Sequence, residues 1–143
     1  MTVHIVKLCV GAVSVDDLEV WQAARLDVRE ARGERRPMAH HDTRMSPKRR
    51  DDVLDAGSLY WVICGQILVR QVILDLEEIV DAEARSACRI WLDPALVRTE
   101  PRGRRPFQGW RYLQPADAPP DLGDGAKGVP LELADKLKDN LVW

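Results

Sequence analysis

Apolar positions near the amino terminus follow two periods, one typical of a strand and one of a helix. The run 3–10 is short, apolar and rich in β-branched residues, which predicts a buried strand that ends before Gly11. After Ser14, a favoured N-cap residue, apolar residues recur at steps of three and four, which predicts an amphipathic helix to about residue 32. Its predicted apolar face consists of Leu18, Trp21, Ala24, Val28 and Ala31.

The next segment predicts a short strand followed by a short helix. Residues 38–45 are a candidate strand. Ser46-Pro47 is typical of a helix start, because proline is favoured at the first helical position. We expect that helix to end near Ala56, with Gly57 as a cap in the left-handed conformation.

The central third of the chain is the most strand-like part. Its apolar runs are interrupted by Arg70 and Gln71, and they stop at Asp93-Pro94, where proline disfavours a continuing strand. A turn or bulge is expected at Gly65-Gln66 and a loop in the acidic segment 75–85. The predicted strands are 59–64, 67–76, 87–92 and 96–99.

This order of elements predicts an α+β fold with a mixed, mostly antiparallel sheet or a half-open barrel and two to three helices. Parallel βαβ repetition is not sustained, which argues against a doubly wound fold. Residues 1–122 are expected to form a single domain. Residues 123–143 are expected to be a linker and a C-terminal helix, at 130–141, that packs on the domain or on a partner.

Composition restricts the classes of function. The chain has 143 residues and a net charge of −2, so a surface that binds nucleic acid has to be local. Met1–Val10 does not have the pattern of a signal peptide, and no apolar run reaches the ~20 residues of a membrane helix, which predicts a cytoplasmic protein without a membrane partner. Cys9, Cys64 and Cys88 have no metal-binding spacing and are predicted to be small buried residues.

The stretch Arg102–Tyr112 is the most unusual feature, with four arginines around three aromatic residues. Guanidinium groups bind phosphate, and aromatic rings stack on bases, so the stretch predicts binding of RNA or a nucleotide-like ligand. The alternative is a packed loop in which Phe107 and Trp110 fill the core edge and the arginines pair with the acidic segment 75–83. The candidate ligand-binding residues are Arg44, Arg70, Arg104, Arg105, Gln108, Trp110 and Arg111.

Other polar positions leave two further functions open. An arginine within an apolar strand, such as Arg70, needs an acidic partner or a ligand. Adjacent His40 and His41 point to opposite faces of a strand, so no metal site and no cofactor is predicted, although either histidine is a candidate acid or base. The alternatives are therefore an enzyme acting on a small anionic substrate, with an arginine clamp and a histidine, or a non-catalytic homodimer that associates through an edge strand or Trp143.

Three motifs resemble one known family over about residues 2–122. They are Val6-Lys7-Leu8-Cys9-Val10-Gly11, Gly57-Ser58-Leu59-Tyr60-Trp61-Val62-Ile63 and Arg105-Pro106-Phe107-Gln108-Gly109-Trp110-Arg111-Tyr112-Leu113. This pattern resembles a bacterial family of uncharacterised proteins, the domain of unknown function DUF1489, and the resemblance implies membership but no activity.

A second resemblance concerns the fold. A short helix followed by Gly57-Ser58 at the start of a hydrophobic strand is similar to the centre of PUA-like and ASCH-like domains. The resemblance implies a small β-barrel of a kind that often binds RNA or modified bases. Ser58 stands where such domains often have an acidic residue.

Overall fold

The computed structural model describes residues 1–31 and 39–122, which form seven strands and two α-helices. The strands are β1 (His4–Leu8), β2 (Ala39–Thr43), β3 (Ser58–Ile63), β4 (Gln66–Val80), β5 (Ser86–Leu92), β6 (Val97–Gly103) and β7 (Trp110–Leu113). The helices are α1 (Val15–Ala31) and α2 (Arg50–Leu54), with a 3-10 turn at Pro115–Asp117. The helix predicted at 130–141 lies outside the described residues, and none of the described helices is long and apolar enough to cross a membrane.

The strands form one mixed sheet in the order β2-β5-β4-β3-β1-β7, with β6 also paired to β4. Only β1 and β3 are parallel among the described strands; the other pairs are antiparallel. Residues 66–70 of β4 pair with both β3 and β6, so these two strands lie on opposite edges of β4. The α+β class and the mostly antiparallel sheet are therefore confirmed, and the sheet is not closed into a barrel because β2 and β7 remain its two ends.

Apolar side chains lie on both faces of the sheet. The larger cluster includes Val15 and Leu18 of α1 and Val53 of α2, so the helices cover this face. The second face has a smaller cluster, against which Phe107 is partly buried. The members of the smaller cluster are Val6, Tyr60, Val62, Ile67 and Leu113. The basic-aromatic loop, residues 102–109, is thus attached to the face of the sheet opposite the helices.

Helix α1 begins at the predicted cap but is rotated relative to the predicted apolar face. The Asp17 N–H donates to Ser14 Oγ at 3.2 Å, and Asp17 Oδ2 accepts from the Val13 N–H at 2.9 Å. Trp21 is 40% exposed, whereas Gln22 is buried. The buried face of α1 therefore includes a glutamine, because the sheet provides a polar partner for its side chain.

That partner is Gln71, whose side chain is fully buried. The two amides exchange hydrogen bonds of 2.8 and 2.7 Å between Gln22 and Gln71. Gln71 Oε1 also accepts from Trp61 Nε1 at 2.9 Å, and Gln71 Nε2 donates to the Asp93 carbonyl at 3.0 Å. Every polar atom of the Gln71 side chain is thereby satisfied within the core, which connects α1 to β3, to β4 and to the residue that follows β5.

The segment after Ser46 departs from the prediction. Helix α2 begins only at Arg50, so Ser46-Pro47 is not its first turn. The left-handed residue is Ala56, with φ of 61°, and not Gly57. A Cβ on Gly57 would lie 2.2 Å from the Val53 carbonyl oxygen and 2.6 Å from that of Val3, so glycine is required there by close backbone approach.

Several strand boundaries also differ from the prediction. The β3–β4 turn is Cys64-Gly65, with φ of 51° and 82°, one residue earlier than expected. Cys64 is exposed, which contradicts its prediction as a buried residue. Strand β4 continues to Val80, because β5 pairs with the acidic residues of the predicted loop, leaving only residues 81–85 as the turn.

Candidate functional site

An open groove of about 550 Å³ lies between the end of β6 and strand β7. We call it the arginine groove. Its lining residues are Gly103, Arg104, Arg105, Pro106, Phe107, Arg111 and Tyr112. Three of the seven candidate residues, Arg104, Arg105 and Arg111, therefore meet at one surface, and no acidic residue is among the described residues that line it.

Local backbone interactions hold the loop of the groove in place. The Arg104 N–H donates to the Gly65 carbonyl at 2.9 Å, which attaches the loop to the β3–β4 turn. Gly109 has a φ of 69°, a conformation that glycine adopts without strain, and it returns the chain into β7. Between these two points Phe107 packs on the smaller apolar cluster and anchors the loop to the sheet.

The Phe107 ring organises two of the guanidinium groups. Arg104 Cζ lies 5.6 Å and Arg111 Cζ lies 5.4 Å from the ring centroid, within the range of cation–π contacts. Arg111 Nη1 also donates to the carbonyls of Gln108 and Trp110, at 2.7 and 3.0 Å. In the part of the chain that the structure describes, none of the three groove arginines has a carboxylate partner.

The remaining candidate residues do not join the groove. Arg70 forms a two-pronged ion pair with Asp121, with distances of 2.8 and 2.7 Å, and also donates to Ser58 Oγ at 2.9 Å. Trp110 is buried and donates through Nε1 to the Met45 carbonyl at 2.7 Å, which is a packing role. Arg44 and Gln108 are exposed, and neither side chain lines the groove.

The acidic segment does not neutralise the loop as the packing alternative expected. Asp75 pairs with Arg50 at 3.4 Å, and Asp81 and Glu83 pair with Arg85. Phe107 and Trp110 do pack, as that alternative expected. The loop therefore combines packed aromatic residues with arginines that stay available to an anion.

A second, smaller cavity of about 130 Å³ lies on the helix-covered face. We call it the histidine cavity. It receives residues from β1 and β2, which are not neighbours in the sheet, and from α1. The lining residues are Lys7, Leu8, Cys9, Val10, Leu18, Trp21, Gln22, Arg25, His40, His41 and Trp61. The sequence pattern indicated the two histidines but not Lys7 or Arg25.

His41 is the most perturbed group of this cavity. Its Nε2 atom is buried and has no hydrogen-bond partner within residues 1–31 and 39–122, and its ring meets that of Trp61 edge-on at 5.3 Å between centroids. Burial lowers the pKa of His41 to about 4, with a smaller contribution from the positive charge of Lys7. Burial also lowers the pKa of Lys7 and raises that of Cys9 to about 11, so the Cys9 thiol stays protonated at neutral pH.

The low pKa of His41 predicts acid sensitivity. The unfolded chain binds a proton at His41 near pH 6.5 and the folded chain only near pH 4, so stability is fully present above pH 6.5 and is lost as the pH falls toward 4. The loss attributable to His41 is about 2 to 3 kcal/mol. Urea unfolding at both ends of this range should show it, and His41→Gln should reduce the acid loss by about that amount. An equal loss in both proteins would contradict the assignment, because His4, whose pKa is also lowered by burial, is common to both.

Neither surface has the donor set of a metal site. Within residues 1–31 and 39–122, no group of three or more His, Cys, Asp or Glu side chains is arranged to hold a metal ion. The histidine cavity and the arginine groove have no lining residue in common. The structure therefore does not bring the histidines and the loop arginines together.

The fold and these surfaces define a small α+β protein. Among its described residues, the mixed sheet has arginines without carboxylate partners on one side and a half-buried histidine on the other. The chain belongs to the DUF1489 family, described as a protein of unknown function, whose model matches residues 5–142. The match includes most of the segment after residue 122, beyond the range of the three sequence motifs. No curated protein and no solved structure matched the chain.

Proposed function

We propose that this protein binds single-stranded RNA or a nucleotide-like anion in the arginine groove. The observation that carries the proposal is the convergence of Arg104, Arg105 and Arg111 at one open surface, where none of them pairs with a carboxylate of the described residues. Arginines that only stabilise a fold are usually paired with acids, as Arg70 is with Asp121. Three arginines that lack such a partner at one groove are suited to a ligand that supplies the negative charge.

The chemistry of the groove fits a phosphate next to a planar ring. Guanidinium groups bind phosphate oxygens through two parallel hydrogen bonds, and they also stack on bases. Arg104 and Arg111 are already positioned by Phe107, so binding requires little further ordering of their side chains. The volume of about 550 Å³ lies within the usual range for sites that hold a nucleotide-sized molecule.

Tyr112 lies at the groove, but its ring packs against the larger apolar cluster and meets the Trp110 ring at 4.8 Å between centroids. The Arg49 N–H donates to the Tyr112 hydroxyl at 3.0 Å, and Arg49 Cζ lies 5.7 Å from the ring centroid. The Tyr112 ring is thereby held on the helix-covered side of the sheet, so stacking on a base falls to the guanidinium groups of Arg104 and Arg111. We also propose a PUA-like relationship and a cytoplasmic location for this protein, and both are supported by the sequence pattern alone.

Fluorescence anisotropy with labelled single-stranded RNA tests the proposal. We expect binding that weakens steeply between about 50 mM and about 200 mM salt, because phosphate contacts release counterions. Arg104→Gln, Arg105→Gln and Arg111→Gln should each weaken binding by about three- to tenfold and reduce the salt dependence. Arg85→Gln is the charge-matched control, since Arg85 lies in the β4–β5 turn outside the groove, and it should leave affinity within about twofold.

Two results would overturn the proposal. One is the absence of binding at low salt for RNA and also for a mononucleotide. The other is a loss of affinity in Arg85→Gln equal to that in the groove variants, which would indicate attraction by overall charge. Competition between RNA and the mononucleotide decides which of the two the groove prefers.

A further inference from the structure

The histidine cavity has the construction of a small-ligand site, and its features do not depend on the arginine groove. Its walls are mostly apolar and are formed by Leu18, Trp21 and Trp61. One side is fixed by Gln22, which is hydrogen-bonded to Gln71 in the core. Apolar walls with a few fixed polar groups are typical of cavities that bind small organic molecules.

Two polar groups at this cavity lack partners within the described residues. His41 Nε2 is buried and has no hydrogen-bond partner there, although the His41 ring packs against that of Trp61. The Lys7 ammonium belongs to a partly buried side chain and forms none of the ion pairs among these residues. Buried polar groups are nearly always satisfied in folded proteins, so the buried His41 Nε2 without a partner is the physical reason to expect a ligand, and the Lys7 ammonium supplies a positive charge for it.

The local charge favours an anion. Lys7 and Arg25 both line the cavity, and both act electrostatically on His41. The nearby Asp42 is held by Arg89, with distances of 2.8 and 3.1 Å, and lies 4.0 Å from His40. Asp17, which acts on Cys9, accepts a backbone hydrogen bond from Val13. The cavity therefore contains more positive than negative charge.

Size and wall chemistry restrict the class of anion. A volume of about 130 Å³ is slightly smaller than that of an apolar cavity of about 150 Å³ that binds benzene. That space fits a molecule with about six non-hydrogen atoms, such as a carboxylate with three carbon atoms. A phosphate dianion has more acceptor sites than one ammonium and one imidazole satisfy, whereas a carboxylate with a short apolar chain matches both the charge and the tryptophan walls.

We propose that the histidine cavity binds a small carboxylate, with the carboxylate group at Lys7 and a neighbouring hydroxyl or carbonyl group on His41 Nε2. A neutral imidazole accepts a hydrogen bond from a hydroxyl in one tautomer and donates to a carbonyl in the other. The ligand thus supplies the partners that both groups lack. Arg25, at the exposed side of the cavity, adds attraction without being enclosed.

Nuclear magnetic resonance titration of the full-length, nitrogen-15-labelled protein tests this assignment. The probes are lactate and pyruvate, which have the second polar group, propionate, which lacks it, and lactamide, which lacks the charge. We expect lactate or pyruvate to shift the resonances of residues that line the cavity and to bind about tenfold more tightly than propionate. Lactamide should cause no such shifts, and inorganic phosphate should bind more weakly than the preferred carboxylate.

Two variants separate the roles of the polar groups. Lys7→Met keeps the chain length and removes the charge, and it should weaken binding of the preferred carboxylate by at least about tenfold. His41→Gln should abolish the preference over propionate while retaining weak binding. Lys48→Met is the matched control, an exposed lysine that does not line the cavity, and it should bind as the unaltered protein does.

The proposal fails if no carboxylate shifts the resonances of the cavity residues, or if a folded Lys7→Met variant binds unchanged. Tighter binding of phosphate would overturn the carboxylate assignment. The resonance shifts in the unaltered protein decide the matter even if a variant does not fold. RNA binding at the arginine groove is unaffected by either result, since the two sites have no lining residue in common.

Discussion

Gly57→Ala is expected to destabilise the protein by roughly 3 kcal/mol or more. The new Cβ would lie 2.2 Å from the Val53 carbonyl oxygen and 2.6 Å from the Val3 carbonyl oxygen, so two backbone segments would have to separate. Both are fixed: the Gly57 N–H donates to Val53 at 3.0 Å, and Val3 is fully buried. Urea unfolding followed by circular dichroism measures the change in the free energy of unfolding.

The preceding residue provides an opposite control. Ala56 has a φ of 61°, where glycine is favoured over alanine, so Ala56→Gly should be neutral or stabilise the protein by up to about 1 kcal/mol. If Gly57 were the left-handed cap that the sequence predicts, its φ, and not a close approach of the backbone, would require glycine there. A Gly57→Ala variant as stable as the unaltered protein would show that close backbone approach is not what requires glycine.

Gln71→Leu is expected to cost roughly 3 kcal/mol or more, although leucine is similar in size and more apolar. The substitution leaves the Trp61 indole N–H, the Gln22 amide and the Asp93 carbonyl without their partner. Gln22 and Trp61 are themselves buried, so water does not readily replace the lost hydrogen bonds. Thermal and urea unfolding measure the loss.

The double variant Gln22→Leu/Gln71→Leu distinguishes lost hydrogen bonds from lost packing. Removing both amides eliminates the unsatisfied Gln22, so the double variant should be no less stable than Gln71→Leu alone, and the two costs should not add. Additive costs would mean that the two glutamines act independently. They would also contradict the reciprocal hydrogen bonds between α1 and β4.

The candidate groove was predictable where its residues are close in sequence. Arg104 and Arg105 lie in the loop before β7 and Arg111 lies in β7 itself, so their convergence requires only the local turn at Gly109 and the Phe107 anchor. Arg70 was predicted for the same site but is paired with Asp121, a residue 51 positions away. Whether a charge is free depends on contacts of this kind, which no local pattern reports.

The histidine cavity was not predictable for the same reason. Its polar groups come from β1, α1 and β2, and β1 and β2 are separated in the sheet by three strands. His41 becomes an unusual histidine only when burial and Lys7 act on it together. In the sequence, Lys7 is a lysine in an apolar run and His41 a histidine in a polar one, and such side chains commonly extend their polar ends to water.

By itself, the sequence determined the elements whose formation depends on neighbouring residues. The strand periods, the Ser14 cap, the stop at Asp93-Pro94 and the α+β class with a mostly antiparallel sheet all follow from short-range preferences. The tertiary structure alone decided which polar residues are buried together, which arginines keep an available charge and why residue 57 is glycine. Those properties depend on distances between segments that are remote in sequence, and packing sets these distances only when the sheet and helices assemble.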